Sequence, residues 1–351
     1  MKYFKTPYTF FIFLSFFTCS SLFCLSQSND SNEEQLNPSF VQQTSDADRL
    51  IIEHKYEKAL TILDSLSIIS PENLILKERS GLCYYRLGML SRAKDVYKEI
   101  LKTDTAHSVA LNQLGQICIK EGNLMESIQY YNRLTRIDST NSYYFKQLGQ
   151  IQSKAGSILG AISMYSKTLT LNPRDIEVYA SLAELLIETE IMEIADSIIG
   201  MGLQVDSTNY NLKMLQAKSA FQQNRFEEVT EVIEGILHEK DTIPIFANLL
   251  GSSYYRLKEY KKVIPCMQLL LKSDYDQDWI YFYLGIAYRE TGNEELSTHH
   301  LKLAVQKGIS KNIDSYYTQL GISYDKANDY SNAILLRKLM SMNKTNSCCI
   351  E

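Results

Sequence analysis

Residues 142–175 read SYYFKQLGQIQSKAGSILGAISMYSKTLTLNPRD, and the way this 34-residue stretch repeats decides the fold. Tyr144, Phe145 and Leu148 lie three and four apart just before Gly149; Gly156, Ala161, Tyr165 and Leu171-Asn172-Pro173 follow. Apolar residues at that spacing lay one stripe on each of two helices. Gly149 belongs to a series at a constant interval of 34: Gly81, Gly115, Gly149, Ala183, Ala217, Gly251 and Gly285, with Gly321 coming 36 after the last. A second small-residue series runs 12 positions behind, through Ala93, Ser127, Ala161, Ala195, Val229, Val263 and Ser297. A period near 34 predicts an all-α stack of helical hairpins, each too small to bury its own apolar face. The first small residue is expected where the two helices of a hairpin cross, with the second relieving the same crossing from the other helix. Gly88, Gly122, Gly156 and Gly292 fall between the helices, where a reversal favours a residue that tolerates positive φ. Glu190 and Asn224 hold that place in two hairpins. Pro71 and Pro173 mark hairpin ends, and Asp104-Thr105, Asp138-Ser139 and Asp206-Ser207 are predicted to start the following helices. Pro265, early in a second helix, should bend that helix or delay its start.

These small residues, the leucine before the glycine, the aromatic three positions after it (Tyr288 after Gly285) and the terminal Asn-Pro resemble the tetratricopeptide repeat family. The resemblance covers about residues 40–347 as nine units, at 40–73, 74–107, 108–141, 142–175, 176–209, 210–243, 244–277, 278–311 and 314–347. The last two are separated by a two-residue insertion near Gly308. The family resemblance implies a right-handed superhelix, an α-solenoid whose first helices line a concave groove.

Composition narrows the function. The chain has 351 residues, 45% of them hydrophobic, and a formal charge of −5. A mildly acidic chain without an Arg- or Lys-rich run argues against nucleic acid, which needs a basic stripe to displace counterions. At the N-terminus, Lys2 and Lys5 precede an uncharged stretch centred on Phe10-Phe-Ile-Phe-Leu-Ser-Phe-Phe17, and Cys24-Leu25-Ser26 follows. This order matches a secretory signal peptide over residues 1–26, the competing reading being an uncleaved membrane anchor. Residues 27–39 read as a flexible polar leader. The expected localisation is exported, periplasmic or at the cell surface, and a glutamine at the mature start resembles exported repeat proteins of Bacteroidota. Five cysteines follow residue 26, too few and too odd a set for a disulfide framework.

No catalytic constellation stands out, and no metal or cofactor is expected. His54, His107, His238, His299 and His300 include no pair four apart on a helix, and every clustered glycine is accounted for by helix crossing. Adjacent His299 and His300 point in different directions on a helix. The chain is therefore read as a non-enzymatic scaffold that binds a segment of another protein. The family's groove slots fall on Asn112, Gln116, Lys120, Tyr143, Lys146, Gln150 and Lys154, a positive stretch. Glu177, Glu184 and Glu188 then reverse the sign. Further along, the slots fall on Phe221, Ile245, Asn248, Tyr255, Arg256, Trp279, Phe282, Ile286 and Arg289. Aromatics with arginines have the composition of a binding hot spot. The lysine and asparagine clamp known in the family for a C-terminal carboxylate is missing, since Lys146 is followed by Gln150 and then by Ala180, Ser181 and Glu184. The alternative is a glycan- or peptidoglycan-binding module that stacks sugars on Trp279, Phe282 and Tyr255. Self-association through the final helix, Ala333 to Met340, is a third expectation, because only a short tail follows it.

Overall fold

The structure is a computed structural model and describes residues 38–237, 244–273, 275–307, 313–326, 329 and 331–338. All regular structure among these residues is helical. They fall into two units, one ending at Pro71 and the other beginning at Glu72. The first unit holds one hairpin, α1 (Pro38–Ile52) and α2 (Tyr56–Ile69), closed by Ala47, Ala59, Leu63 and Leu66, all buried. The signal-peptide or anchor segment and the polar leader lie almost wholly outside the described residues. No helix among the described residues is long and apolar enough to cross a membrane.

The second unit is a stack of hairpins in strict register. Its first helices are α3 (Leu74–Arg86), α5 (Ser108–Lys120), α7 (Ser142–Lys154), α9 (Ile176–Glu188), α11 (Tyr210–Gln222), α13 (Pro244–Arg256) and α15 (Asp278–Glu290). Its second helices are α4 (Leu90–Thr103), α6 (Leu124–Ile137), α8 (Ile158–Leu171), α10 (Met192–Val205), α12 (Phe226–Leu237), α14 (Tyr260–Lys272) and α16 (Glu294–Lys307). Successive starts in each set are 34 residues apart. The stack ends with α17 (Ile313–Lys326) and a helix at 331–338, here α18. The insertion near Gly308 lies outside the described residues.

The reason for the glycine series is visible at each crossing. A Cβ added to Gly81 would lie 2.8 Å from the ring of Tyr97, one on Gly115 2.6 Å from Tyr131, and one on Gly149 2.8 Å from Tyr165. In every case the large partner is sixteen residues on, in the second helix of the same hairpin. Gly251 meets Met267 and Gly285 meets Leu301 at the same offset. Ala183 and Ala217 are buried in the same cores as Ile199 and Ile233, so a slightly larger residue faces a smaller one. What the small residue leaves room for is therefore one bulky side chain rather than its small counterpart twelve positions on. That second series still contributes, since the Ser127 hydroxyl donates to the Gly115 carbonyl at 2.9 Å. Gly321 departs from the pattern: a Cβ there would sit 3.7 Å from Leu336, an ordinary contact.

Between helices, Gly88, Gly122, Gly156 and Gly292 take φ of 76–88°. Glu190, Asn224 and Lys258 adopt the same left-handed turn, with φ of 60°, 59° and 62°. Packing of the hairpin imposes this backbone on whatever residue stands there. The helix starts differ from expectation. Asp104, Asp138 and Asp206 cap the ends of the preceding helices, and each carboxylate accepts the backbone N–H two residues on, at Ala106, Thr140 and Thr208. The first helices are capped instead by Asn73, His107, Asn141, Asp175 and Asn209, whose side chains accept a free N–H of the first turn. Pro265 does not delay α14, which begins at Tyr260 in register. It is carried inside the helix and deprives the Lys261 carbonyl of its donor.

In α16, the half-buried His300 ring stacks between Tyr288 (5.3 Å, 11°) and Tyr281 (6.1 Å, 26°). Its Nδ1 has no partner among the described residues. Burial, with help from the neighbouring His299, lowers its pKa to about 4.

Three outcomes follow from this packing. Replacing Gly149 with valine should drive a side chain into Tyr165, lowering the unfolding free energy by about 2 kcal/mol in denaturant titration. Lys258→Gly and Glu190→Gly should each raise stability by about 1 kcal/mol, because the left-handed turn is free for glycine. Unfolded His300 binds a proton below about pH 6.5, whereas the folded ring takes one only near 4. Stability should thus fall as pH drops from 6.5 to 4, and His300→Phe should flatten that part of the thermal-melt profile by about 2 kcal/mol.

Candidate partner-binding face

The first helices carry the residues that the family slots single out, and the structure divides them into engaged and free. Lys146, on α7, is engaged. Its Nζ lies 3.0 Å from Asp175 Oδ1 and 2.6 Å from Glu177 Oε2, both at the start of the next hairpin. Burial works against its charge, but the two carboxylates outweigh it and raise its pKa, while Lys146 lowers that of Glu177. Lys120 covers the Tyr85 ring at 3.9 Å. Asn112 and Gln116 hold the Tyr131 hydroxyl at 2.8 and 2.7 Å. The positive stretch read from sequence is therefore largely consumed within the stack. Lys120 and Lys154 are both exposed and make no ion pair among the described residues, but Lys120 is engaged over the Tyr85 ring.

The acidic stretch faces an opening. A cavity of about 520 Å³ lies across α7, α9 and α11, lined by Gln150, Glu177, Ser181, Glu184, Asn211 and Met214 among others. A second, of about 270 Å³, shares Ser181 and Glu184 and extends to Ser153, Tyr165 and Glu188. Glu184 and Glu188 make no ion pair among the described residues. Asn211 and Met214 were not among the residues read from sequence, although they stand 34 and 37 positions after Glu177 on the equivalent face.

The aromatic end is more tightly knit than composition suggested. Tyr255 stacks on Tyr283 with centroids 4.0 Å apart and planes within 7°. Burial and that neighbouring phenol push the Tyr255 hydroxyl up to about 12. Phe282 stacks on Tyr316 of α17 at 4.7 Å. Trp279 is half-buried, edge-on to Tyr283 at 5.3 Å and Tyr275 at 6.4 Å. Phe221 packs edge-on to Phe226 at 5.6 Å. Arg289 gives its guanidinium to Glu290 and to Gln319 of α17 (2.8 Å). Ile286 is buried in the core with Leu320 and Tyr324, so its assignment to the groove is corrected. The side chain of Ile245 lies outside the described residues. Arg256 is exposed, beside the Tyr255 and Tyr283 phenols. Sequence reading missed Tyr283 and Tyr316. With the two-residue insertion, Tyr316 stands in register with Ile280 rather than Phe282, so the period did not point to it.

Two stretches match the tetratricopeptide repeat in family comparison, residues 79–104 and 109–141, both within the register described above. Both stretches are tetratricopeptide repeats. A crystallised tetratricopeptide repeat protein from Parabacteroides merdae aligns over 71% of this chain and 98% of its own, with a TM-score of 0.50 and 15% identity. The C-terminal part of a TPR repeat-containing protein from Cytophaga hutchinsonii aligns over 78% and 98%, also at 0.50, with 17% identity. Identities this low establish the fold alone. In sequence, 100 residues are 24% identical to the Rhomboid protease GluP of Bacillus subtilis. That match spans 28% of this chain and 20% of the length of that protein. Tetratricopeptide repeats are protein-interaction scaffolds and generally non-catalytic, which places the interest of the chain on its surfaces.

Proposed function

We propose that this protein is a non-enzymatic, exported scaffold whose first helices hold a segment of another protein. The observation that carries the reading is the pair of adjoining cavities over α7, α9 and α11. There the first helices leave unpaired carboxylates, amides and a methionine facing outward. Extended segments are held by such faces through side chains projecting from successive helices, each adding a small increment. Trp279 and Arg256 extend the face toward α13 and α15. Export rests on the N-terminal sequence alone. Sugar binding is less well supported, since Tyr255 and Phe282 each give a ring face to another aromatic. Ile334 and Leu335 on α18 are 54% and 56% exposed, which keeps self-association through the last hairpin open to the same assay.

A photo-crosslinking residue in place of Gln150 or Asn211 should yield a discrete crosslinked partner in the native cell, and one in place of Lys167 on the second-helix side should not. Combining Glu184→Lys with Glu188→Lys should abolish the crosslink while the melting temperature stays put. Equal crosslinking from Lys167 would show that the first-helix face is not the binding surface.

A further inference from the structure

A cavity of about 620 Å³ opens on another part of the second unit, among α12, α13 and α14. Its volume is within the roughly 300–1,000 Å³ of small-molecule sites. The repeat explains why it exists. Its floor is Ala247, in a slot that holds the buried Tyr179, Phe145 and Leu111 in the hairpins 68, 102 and 136 residues earlier, and Lys213 in the hairpin 34 earlier. With only a methyl group there, the cavity reaches down to the packed layer of Ala247, Leu250 and Tyr254, each at most 5% exposed. The wall contributed by α14 is unusual as well. Pro265 and Leu269 stand where the equivalent helices carry Asp95 and Glu99, Gln129 and Arg133, or Ser163 and Lys167. A flank that is polar in those hairpins is apolar beside the cavity.

The charges at its edge are one-sided. Lys262 is neutralised by Glu259 at 3.0 Å and Glu234 at 3.4 Å, and it lies over the Tyr254 ring at 4.8 Å. The Glu234 carboxylate is thereby compensated, and it also accepts the Tyr254 hydroxyl. Lys261 and Lys272, at opposite ends of the apolar strip, are exposed and make no ion pair among the described residues. Eleven residues of helix set them about 16 Å apart, at about 1.5 Å per residue. We propose that this cavity binds a single-chain anionic amphiphile of the fatty-acid class. The acyl chain lies along Pro265 and Leu269 with one end in the slot above Ala247, and the carboxylate meets one of the two free lysines. The site is independent of the partner-binding face.

Dodecanoate, kept below its micellar concentration, serves as the probe with the full chain. Calorimetric titration should show one binding site, and bound dodecanoate should slow alkylation of Cys266, which lines the cavity, as read by peptide mass spectrometry. Ala247→Trp should weaken binding at least about tenfold by filling the slot. Lys261→Gln with Lys272→Gln should weaken it by about five- to tenfold, and dodecylammonium should bind at least about tenfold more weakly than dodecanoate. The single lysine variants show which end holds the carboxylate. Absence of binding, binding that leaves Cys266 unprotected, equal affinity for dodecylammonium, or undiminished affinity in a folded Ala247→Trp protein would each overturn the proposal. If Ala247→Trp does not fold, Ala247→Leu, which restores the residue of α5, takes its place with the same expected loss.

Discussion

One steric pairing underlies the second unit from α3 to α16: a residue with little or no side chain in each first helix, covered by a bulky side chain sixteen positions later. It lets Tyr97, Tyr131 and Tyr165 lie flat against backbone, where dispersion contacts are dense and a single added methyl has nowhere to go. The pairing is graded. Glycine faces tyrosine, methionine or leucine, and alanine faces isoleucine. The small side of the crossing is held nearly constant while the large side varies from tyrosine to leucine, as expected where cores select for size and shape more than identity. Keeping the crossing constant also keeps the helix starts constant, and the surfaces are built on that regularity.

The first-helix face shows how misleading charge can be when read singly. Lys146 looks like an invitation to an acidic partner, yet it reaches the next hairpin and is spent on Asp175 and Glu177. The same holds for Arg289 and for the stacked rings of Tyr255 and Phe282, which join one first helix to another. What remains for a partner is the residue set that the stack leaves over: Glu184, Glu188, Lys154, Arg256 and part of Trp279. Neighbouring hairpins compete with outside molecules for long polar side chains, and only three-dimensional placement shows who wins.

That competition also marks how far sequence could be read. The hairpins, their register, the glycine turns and the small-residue crossings were all legible from period 34, because each is a local consequence of one residue type at one place. The partner of each glycine was not, since an offset of sixteen links two helices through their tilt rather than through a sequence motif. The caps at His107, Asn141 and Asn209 were misassigned to the aspartates three residues before, because the side chains at both places can accept backbone N–H groups. Ile286 was placed in the groove by its slot, but α17 packs across it. The turns at Glu190 and Asn224 carry no glycine and were the least certain for that reason, and the left-handed turn at Lys258 was not read from sequence.

Contacts in the second unit run almost entirely between helices adjacent or next-adjacent in the chain. Among the described residues no distant segment has to return to close the stack, so the entropy of closing large loops is not incurred there. Assembly can begin at any hairpin and spread outward, on the fast timescale of proteins whose contacts are local. The same economy means that each hairpin leans on its immediate neighbours, so a break at one place leaves hairpins farther along the stack intact.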